Sequence, residues 1–358
     1  MNAFCKKHIR SILVLILSLV GIIATSSVIS LTKDSALSQN EADRWSAKDL
    51  NYHQISAFSS GQDFESISRL RNTIATKLGE AGFTNESTTG RLWIDAFYAM
   101  AEGQITRKSD TGFKSKDNIM VMGVGGDFFQ FHLLDFICGS YFEDQNVMKD
   151  GIVLDRETAW SLFGAYDVIG KSVSINGQSF VVSGVYDMSN SRDEEYARDG
   201  KSYIFISYEY FNSIYEGMGI TGYETVIPNP IKNFAFNLIK DNVDEDSIVV
   251  DNTNRFSFLS LAGKYKKLSH NFMKKNSVIL PYWENEALAI EWKIFRCMLI
   301  RLIFVLVLSI ILVRYAIKLF RIFRKRFKGK LKDILKDIFG KLPKRKSTPL
   351  LDNDNVVC

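Results

Sequence analysis

Cysteine is scarce in this 358-residue chain, and the four present stand far apart at Cys5, Cys138, Cys297 and Cys358. Such spacing supplies no disulfide framework, so a folded domain here has to rest on a hydrophobic core. Neither terminal cysteine lies in a lipidation signal, since the closing NVVC is not a prenylation box. Histidine is equally sparse, at His8, His53, His132 and His270. His132 and Asp135 are close, but two ligands fall short of the three or four that zinc requires. That pair reads as partly buried polar residues. No Gly-x-Ser-x-Gly elbow is found. The chain is therefore expected to be no enzyme, with no catalytic residue, no metal and no cofactor.

Two glycine-rich stretches imitate nucleotide-binding loops and fail on spacing. In GAYDVIGKS (164–172) five residues separate Gly164 from Gly170 where a phosphate loop has four, and a strand pattern follows where a helix should begin. GVGGDF (123–128) has Phe128 at the third glycine position of the dinucleotide fingerprint. Net charge is +5, but residues 32–295 hold 26 Lys and Arg against 36 Asp and Glu, a balance of −10. The basic excess belongs to the two ends, so nucleic acid is not an expected partner.

Residues 11–31 carry no charge and follow Lys6, Lys7 and Arg10. At ~1.5 Å per residue such a helix covers a ~30 Å hydrocarbon core. A cleaved signal peptide is the competing reading, with small residues over Ser35–Ser38; the run exceeds a usual signal core, which favours a retained span. A second run, 297–313, is broken near its start by Arg301, expected to snorkel toward the outer interface. Trp283, Trp292 and Phe295 precede it and read as interfacial aromatics. Between Arg314 and Lys346 there are fourteen Lys or Arg against Asp333 and Asp337, which keeps that end inside. The expected layout is a cytoplasmic N-terminus over 1–10, a span over 11–31, an extracytoplasmic domain over 32–295, a second span over 296–315, a basic amphipathic helix over 316–340 and a disordered tail over 341–358. Both termini are then cytoplasmic, at a plasma membrane.

Within the large segment, 51–60 reads as a strand. Phe64, Ile67, Leu70, Ile74, Leu78 and Ala81 recur at helical spacing, and Gly82 ends the helix. After a polar turn from Thr84 to Gly90, 91–100 reads as a strand, completing a β-α-β unit. GIVL (151–154) leads to Asp155, an N-cap for a helix over Arg156–Phe163 that Gly164 closes. Asn176-Gly177 is the two-residue turn of a hairpin. Residues 187–201, including Asp193, Glu194 and Glu195, read as a charged loop, 234–240 (FAFNLIK) as a strand, and 256–275 as a helix.

Two stretches, VMGVGGDFFQFHLLDFICGSYF and GIVLDRETAWSLFGAYDVIGKSVSINGQSFVVSGVYD, resemble the MacB-type periplasmic core domain of ABC transporter permeases, the FtsX/MacB-like group. The likeness lies in Gly123 and Gly125 before Asp127, the turn from Gly139, the helix end at Gly164, the turn at Gly170 and the Asn176-Gly177 hairpin, and covers about residues 50–186. It implies an α+β extracytoplasmic domain, β-α-β units plus an inserted β-rich lobe, set between two transmembrane helices. It further implies a mechanical role in which motions of a nucleotide-binding domain reach the outside through the helices. Family permeases carry two more spans, where this sequence continues as a basic tail, which suggests an accessory or half-type subunit. The expected function is a non-catalytic component of, or accessory to, such a system. The alternative is a stand-alone surface receptor or adhesin, and a membrane-tethered hydrolase ranks third.

In that tail Ala316, Phe320, Phe323, Phe327, Leu331, Ile334, Leu335 and Ile338 trace one helical face among basic residues. Arg321, Arg324, Lys325, Arg326 and Lys328 are candidates for contact with the anionic inner leaflet, with docking to an ATPase as the other reading. Expected partners are thus the lipid bilayer, a separate ABC ATPase or permease subunit, and a second copy of the chain.

Overall fold

The computed structural model of the chain describes residues 3–45, 51–83, 91–109, 112–142, 148–188, 192–268 and 278–340. The polar turn expected over Thr84–Gly90 and the tail expected over 341–358 lie outside these residues. The chain divides into two compact units, residues 25–299 and residues 1–24 with 300–358.

In the larger unit, strand β1 (Tyr52–Gln62) is followed by helix α3 (Phe64–Glu80) and strand β2 (Ile94–Ser109). Asp63 starts α3 by accepting a hydrogen bond from the Ser66 N–H at 2.7 Å. The helix buries Ile67, Leu70, Ile74 and Leu78 along one face. The expected β-α-β unit exists in split form: β9 (Ile220–Pro228) runs antiparallel between β1 and β2. Beyond β1 lies β10 (Ile248–Asp251).

β2 forms a long antiparallel hairpin with β3 (Gly112–Gly126). β3 pairs in parallel with β8 (Ser202–Ser207), which meets β5 (Gly151–Asp155). β7 (Gln178–Asp187) and β4 (Asp135–Gly139) complete a sheet ordered β10-β1-β9-β2-β3-β8-β5-β7-β4. The tenth strand, β6 (Ser172–Ile175), pairs with both β7 and β2, through Ile105 opposite Ile175. Strands β2, β3, β8, β5, β7 and β6 therefore close a ring. Its core takes Ala99, Val121, Ile204, Leu154, Val182 and Val173, one from each strand, among others. The inserted β-rich lobe is this ring. It shares β2 and β3 with the rest of the sheet, so the two lobes have one continuous sheet.

Asp155 caps α5 (Arg156–Phe163), accepting from the N–H groups of Glu157 and Thr158 at 2.9 and 3.0 Å. Asn176 and Gly177 take φ 49° and 86° in the β6–β7 turn, the left-handed geometry a two-residue hairpin needs. Two expectations fail. FAFNLIK forms helix α8 (Phe234–Lys240), not a strand: Asn229 Oδ1 accepts from the Ala235 N–H at 3.0 Å, and Ala235, Leu238 and Ile239 face the core at helical spacing. A short apolar run has no periodicity that separates the two states. Nor is 187–201 wholly an exposed loop, because α6 (Arg192–Arg198) buries Glu194 and Ala197. The helix expected over 256–275 is seen as α9 (Phe258–Leu268), with 269–277 outside the described residues.

Helices α1 (Ala3–Asp34) and α10 (Tyr282–Gly340) each run through both units. The expected span 296–315 and basic helix 316–340 are consecutive stretches of one uninterrupted helix. Stretches Ile9–Asp34 and Tyr282–Lys328 are long and apolar enough to cross a membrane, and few of their apolar window residues are buried, unlike a soluble core helix. In the smaller unit, Gly21 admits the ring of Phe304: a Cβ there would sit 2.6 Å from it. Ser18 and Ser309 return their hydroxyls to the carbonyls of Val14 and Val305, both at 2.8 Å, which satisfies them without water. The remaining short elements are α2 (Glu41–Trp45), α4 (Phe128–Phe131) and α7 (Tyr208–Ile214).

Candidate functional site

The first turns of α10 bury a stripe of Trp283, Ala287, Ile290, Ile294 and Met298 at steps of three or four residues. Glu284 and Glu291, seven residues apart, fall on the same side, and their side chains are only 4% and 2% exposed. A carboxylate so placed needs a buried cation. Arg255, between β10 and α9 and fully buried, supplies it. Its guanidinium donates to both oxygens of Glu284 at 2.6 and 2.7 Å, to Glu291 at 2.7 Å and to Asn252 Oδ1 at 3.1 Å. Lys264 on α9 adds a contact of 3.2 Å to Glu291. Burial pushes the Glu284 carboxyl above its ordinary value, and the adjacent Arg255 opposes that rise.

From this ionic knot a chain of buried hydrogen bonds runs into the sheet. Asn252 donates to the Ser56 hydroxyl at 2.8 Å, and Ser56 donates to Glu224 of β9 at 3.3 Å. Glu224 also accepts from the Trp283 indole N–H at 3.4 Å and meets His132 Nε2 at 2.8 Å. His132 stacks on Trp283 with ring centroids 4.1 Å apart, and its Nδ1 reaches the Ser38 hydroxyl at 3.0 Å. Gln39 donates to the Trp283 carbonyl at 3.2 Å, and Gln54 to the Ser38 carbonyl at 2.6 Å. The segment after α1, strands β1 and β9, the loop after β10, His132 after α4 and the start of α10 are thereby joined by one polar network. Its groups are placed to fix geometry: buried ion pairs contribute little net stability when intact and cost several kcal/mol, roughly 3 to 5, when one partner is removed.

Sequence reasoning missed Arg255, Glu284, Glu291 and Glu224. The available signal was the pair of glutamates at i and i+7 within the apolar stripe of a helix. Trp283, read as an interfacial anchor, is instead 3% exposed and packs on Tyr98, Phe128 and His132. Its indole N–H needs a partner, and Glu224 provides one inside the domain. Trp292 and Phe295 are half-buried beside Ile290 and Ile294. His132 is buried, with Glu224 and not Asp135 as its carboxylate partner.

The residues singled out by motif are not brought together. Gly123 and Gly125 lie on β3, where the rings of Phe211 and Phe97 occupy the space a side chain would need. Asp127 forms a two-pronged pair with Arg91, both contacts 2.7 Å. Gly139 ends β4 against the Ser183 carbonyl, Gly164 closes α5, and the Gly170 N–H donates to Val182 at 2.9 Å. Arg321, Arg324, Lys325, Arg326 and Lys328 lie exposed on α10. Among the described residues no three His, Cys, Asp or Glu side chains gather as a metal site.

The family model for the MacB-like periplasmic core domain matches residues 11–248, and the chain belongs to that family. Among solved structures it is similar to the extracellular domain of the noncanonic ABC-type transporter YknZ from Gram-positive bacteria, at 16% identity, over 56% of this chain and 100% of that one, with a TM-score of 0.39. It is also similar to the periplasmic region of MacB from Actinobacillus actinomycetemcomitans, at 16% identity, over 61% and 93% of the two chains, with a TM-score of 0.39. No curated protein matches it.

Proposed function

We propose that this chain is a non-catalytic membrane component of, or accessory to, a MacB-type ABC transport system, in which the extracytoplasmic domain couples to cargo or partners. The reading rests on family membership and on one observation, the Arg255–Glu284–Glu291 knot that binds the first turns of α10 to the domain. A helix that entered the domain through apolar contacts alone could slide or rotate, whereas one held by directional ion pairs passes its movement on to the sheet. In this scheme 11–31 and 296–315 are spans, both termini are cytoplasmic, and an ATP-driven partner acts on the inner parts of α1 and α10. Residues 316–340 lie against the inner leaflet through Arg321, Arg324, Lys325, Arg326 and Lys328, each contributing about 1 kcal/mol near an anionic surface.

The test is photo-crosslinking in native membranes from a reporter at Lys318, with the captured proteins identified by mass spectrometry. Capture of an ABC ATPase or permease supports the proposal. Capture of neither, with the domain still folded and surface-accessible, favours the receptor or adhesin reading.

A further inference from the structure

Between Arg255 and Glu284 the sequence holds five Lys and no Asp or Glu, inside a segment whose overall balance is −10. Helix α9, FLSLAGKYKKL, carries three of those lysines. Its inner side is anchored by Leu261, which is fully buried and shares one apolar cluster with Phe256, with Ile29 of α1 and with Ile290, Ile294 and Met298 of α10. Those partners fix the level of α9. Ile29 lies two residues inside the stretch 11–31 and Met298 two inside 296–315, about 3 Å within each apolar run at ~1.5 Å per residue. The other side of α9 is apolar and open. Leu259, about 160° around the helix from Leu261 at ~100° per residue, is 83% exposed, Phe258 before it is 42% exposed, and Gly263 is exposed on the Leu259 side. Lys264 turns the other way and meets Glu291 at 3.2 Å. On the neighbouring helices Leu31 is 70% exposed, and Val28 and Leu299 are exposed as well. A single exposed leucine is ordinary on a soluble surface, whereas a set of apolar residues at one level marks a surface that meets something apolar.

We infer that α9 lies in the outer leaflet of the membrane that this chain spans, with Phe258 and Leu259 set at the boundary of headgroups and acyl chains. The inference rests on 11–31 and 296–315 being spans. Lipid is the occupant of this face because the helices that α9 packs on enter the bilayer at that level, so the side of α9 turned away from them meets lipid. The composition agrees: a basic stretch without acid is attracted to anionic headgroups, which carboxylates would oppose. Lys264 and Arg255 both hold Glu291, so a surface helix and a span meet at the ionic knot and keep it at the edge of the bilayer.

The test is spin-label accessibility in the full-length, cysteine-free chain in nanodiscs of phosphatidylglycerol, with single labels at Gly263→Cys, Ile310→Cys and Tyr196→Cys. Oxygen concentrates in lipid and a neutral nickel chelate in water, so the ratio of their collision rates with the label reports immersion. Ile310, exposed within the second apolar run, should give a high ratio, and Tyr196, exposed on α6, a low one. Gly263 should give a ratio severalfold above that of Tyr196 and below that of Ile310. Adding Leu259→Glu, at a position outside the core, should lower the ratio at Gly263 severalfold, toward that of Tyr196. A ratio at Gly263 equal to that at Tyr196, with Ile310 immersed, overturns the inference alone, whereas a low ratio at Ile310 overturns the span assignment and the inference with it. Rare collisions of the Gly263 label with both reagents place protein on this face, a second copy of the chain, and overturn the inference. So does a ratio that Leu259→Glu leaves unchanged.

Discussion

Replacing Arg255 by methionine removes a fully buried guanidinium and its bonds to Glu284, Glu291 and Asn252. Lys264 still reaches Glu291 at 3.2 Å, so the group left without a cation is Glu284. Stranding one member of a buried ion pair costs about 3 to 5 kcal/mol. For a domain above 150 residues, each kcal/mol moves the thermal midpoint by ~2 to 4 °C, so the variant should melt roughly 6 to 20 °C below wild type. The pH dependence has a definite sign. Burial already raises the Glu284 carboxyl, and Arg255 is the chief influence holding it down, so the variant raises it further. A carboxyl raised by folding contributes fully below its unfolded value, near 4.5, and that contribution is lost as pH rises through the folded value. The deficit should therefore be small at about pH 5 and widen toward about pH 8. Adding Glu284→Met to Arg255→Met should restore most of the loss, because the pair is then replaced by apolar groups of similar volume. The assay is thermal unfolding of the full chain in nanodiscs at both pH values. A deficit equal at both, or a double variant no better than the single, would refute the account.

Topology is tested with single-cysteine reporters in a cysteine-free background: Tyr196→Cys should react with an impermeant reagent on intact cells and Ser347→Cys should not, and the reverse pattern overturns the orientation. Lys171→Ala, at a turn before β6, should leave the ATPase activity of any associated partner unchanged. Gly177→Val forces a β-branched residue into φ near 86° and should cost ~1 to 3 kcal/mol, read as a lower thermal midpoint. A peptide covering residues 314–346 should co-sediment with anionic vesicles more than with neutral ones, and less as salt rises. Charge reversal at Arg324, Lys325, Arg326 and Lys328 should weaken it by several kcal/mol, up to about 1 for each charge. Equal binding to neutral and anionic lipid at any salt leaves docking to a protein as the role of the stretch.

Several features of this chain are fixed locally, and the sequence by itself determined them. The face of α3 follows from Ile67, Leu70, Ile74 and Leu78, the start of α5 from Asp155, and the β6–β7 turn from Asn176-Gly177, since helical period, capping and positive φ involve only near neighbours. The two long apolar helices follow from 11–31, which has no charge, and from 297–313, whose one charge is Arg301. Only the tertiary structure decided the rest. β9 enters between β1 and β2, and β6 returns to β2 to close the ring, pairings that no local pattern encodes. FAFNLIK becomes a helix because the sheet beneath it offers a helical face something to cover. Arg255 finds Glu284 and Glu291 from 29 and 36 residues away, Asn252 finds Ser56 from 196, and His132 finds Glu224 from 92. Burial is what gives those charges their meaning. On the surface the same glutamates would be ordinary solvated groups, and only the fold that removes water from around them makes each depend on one cation.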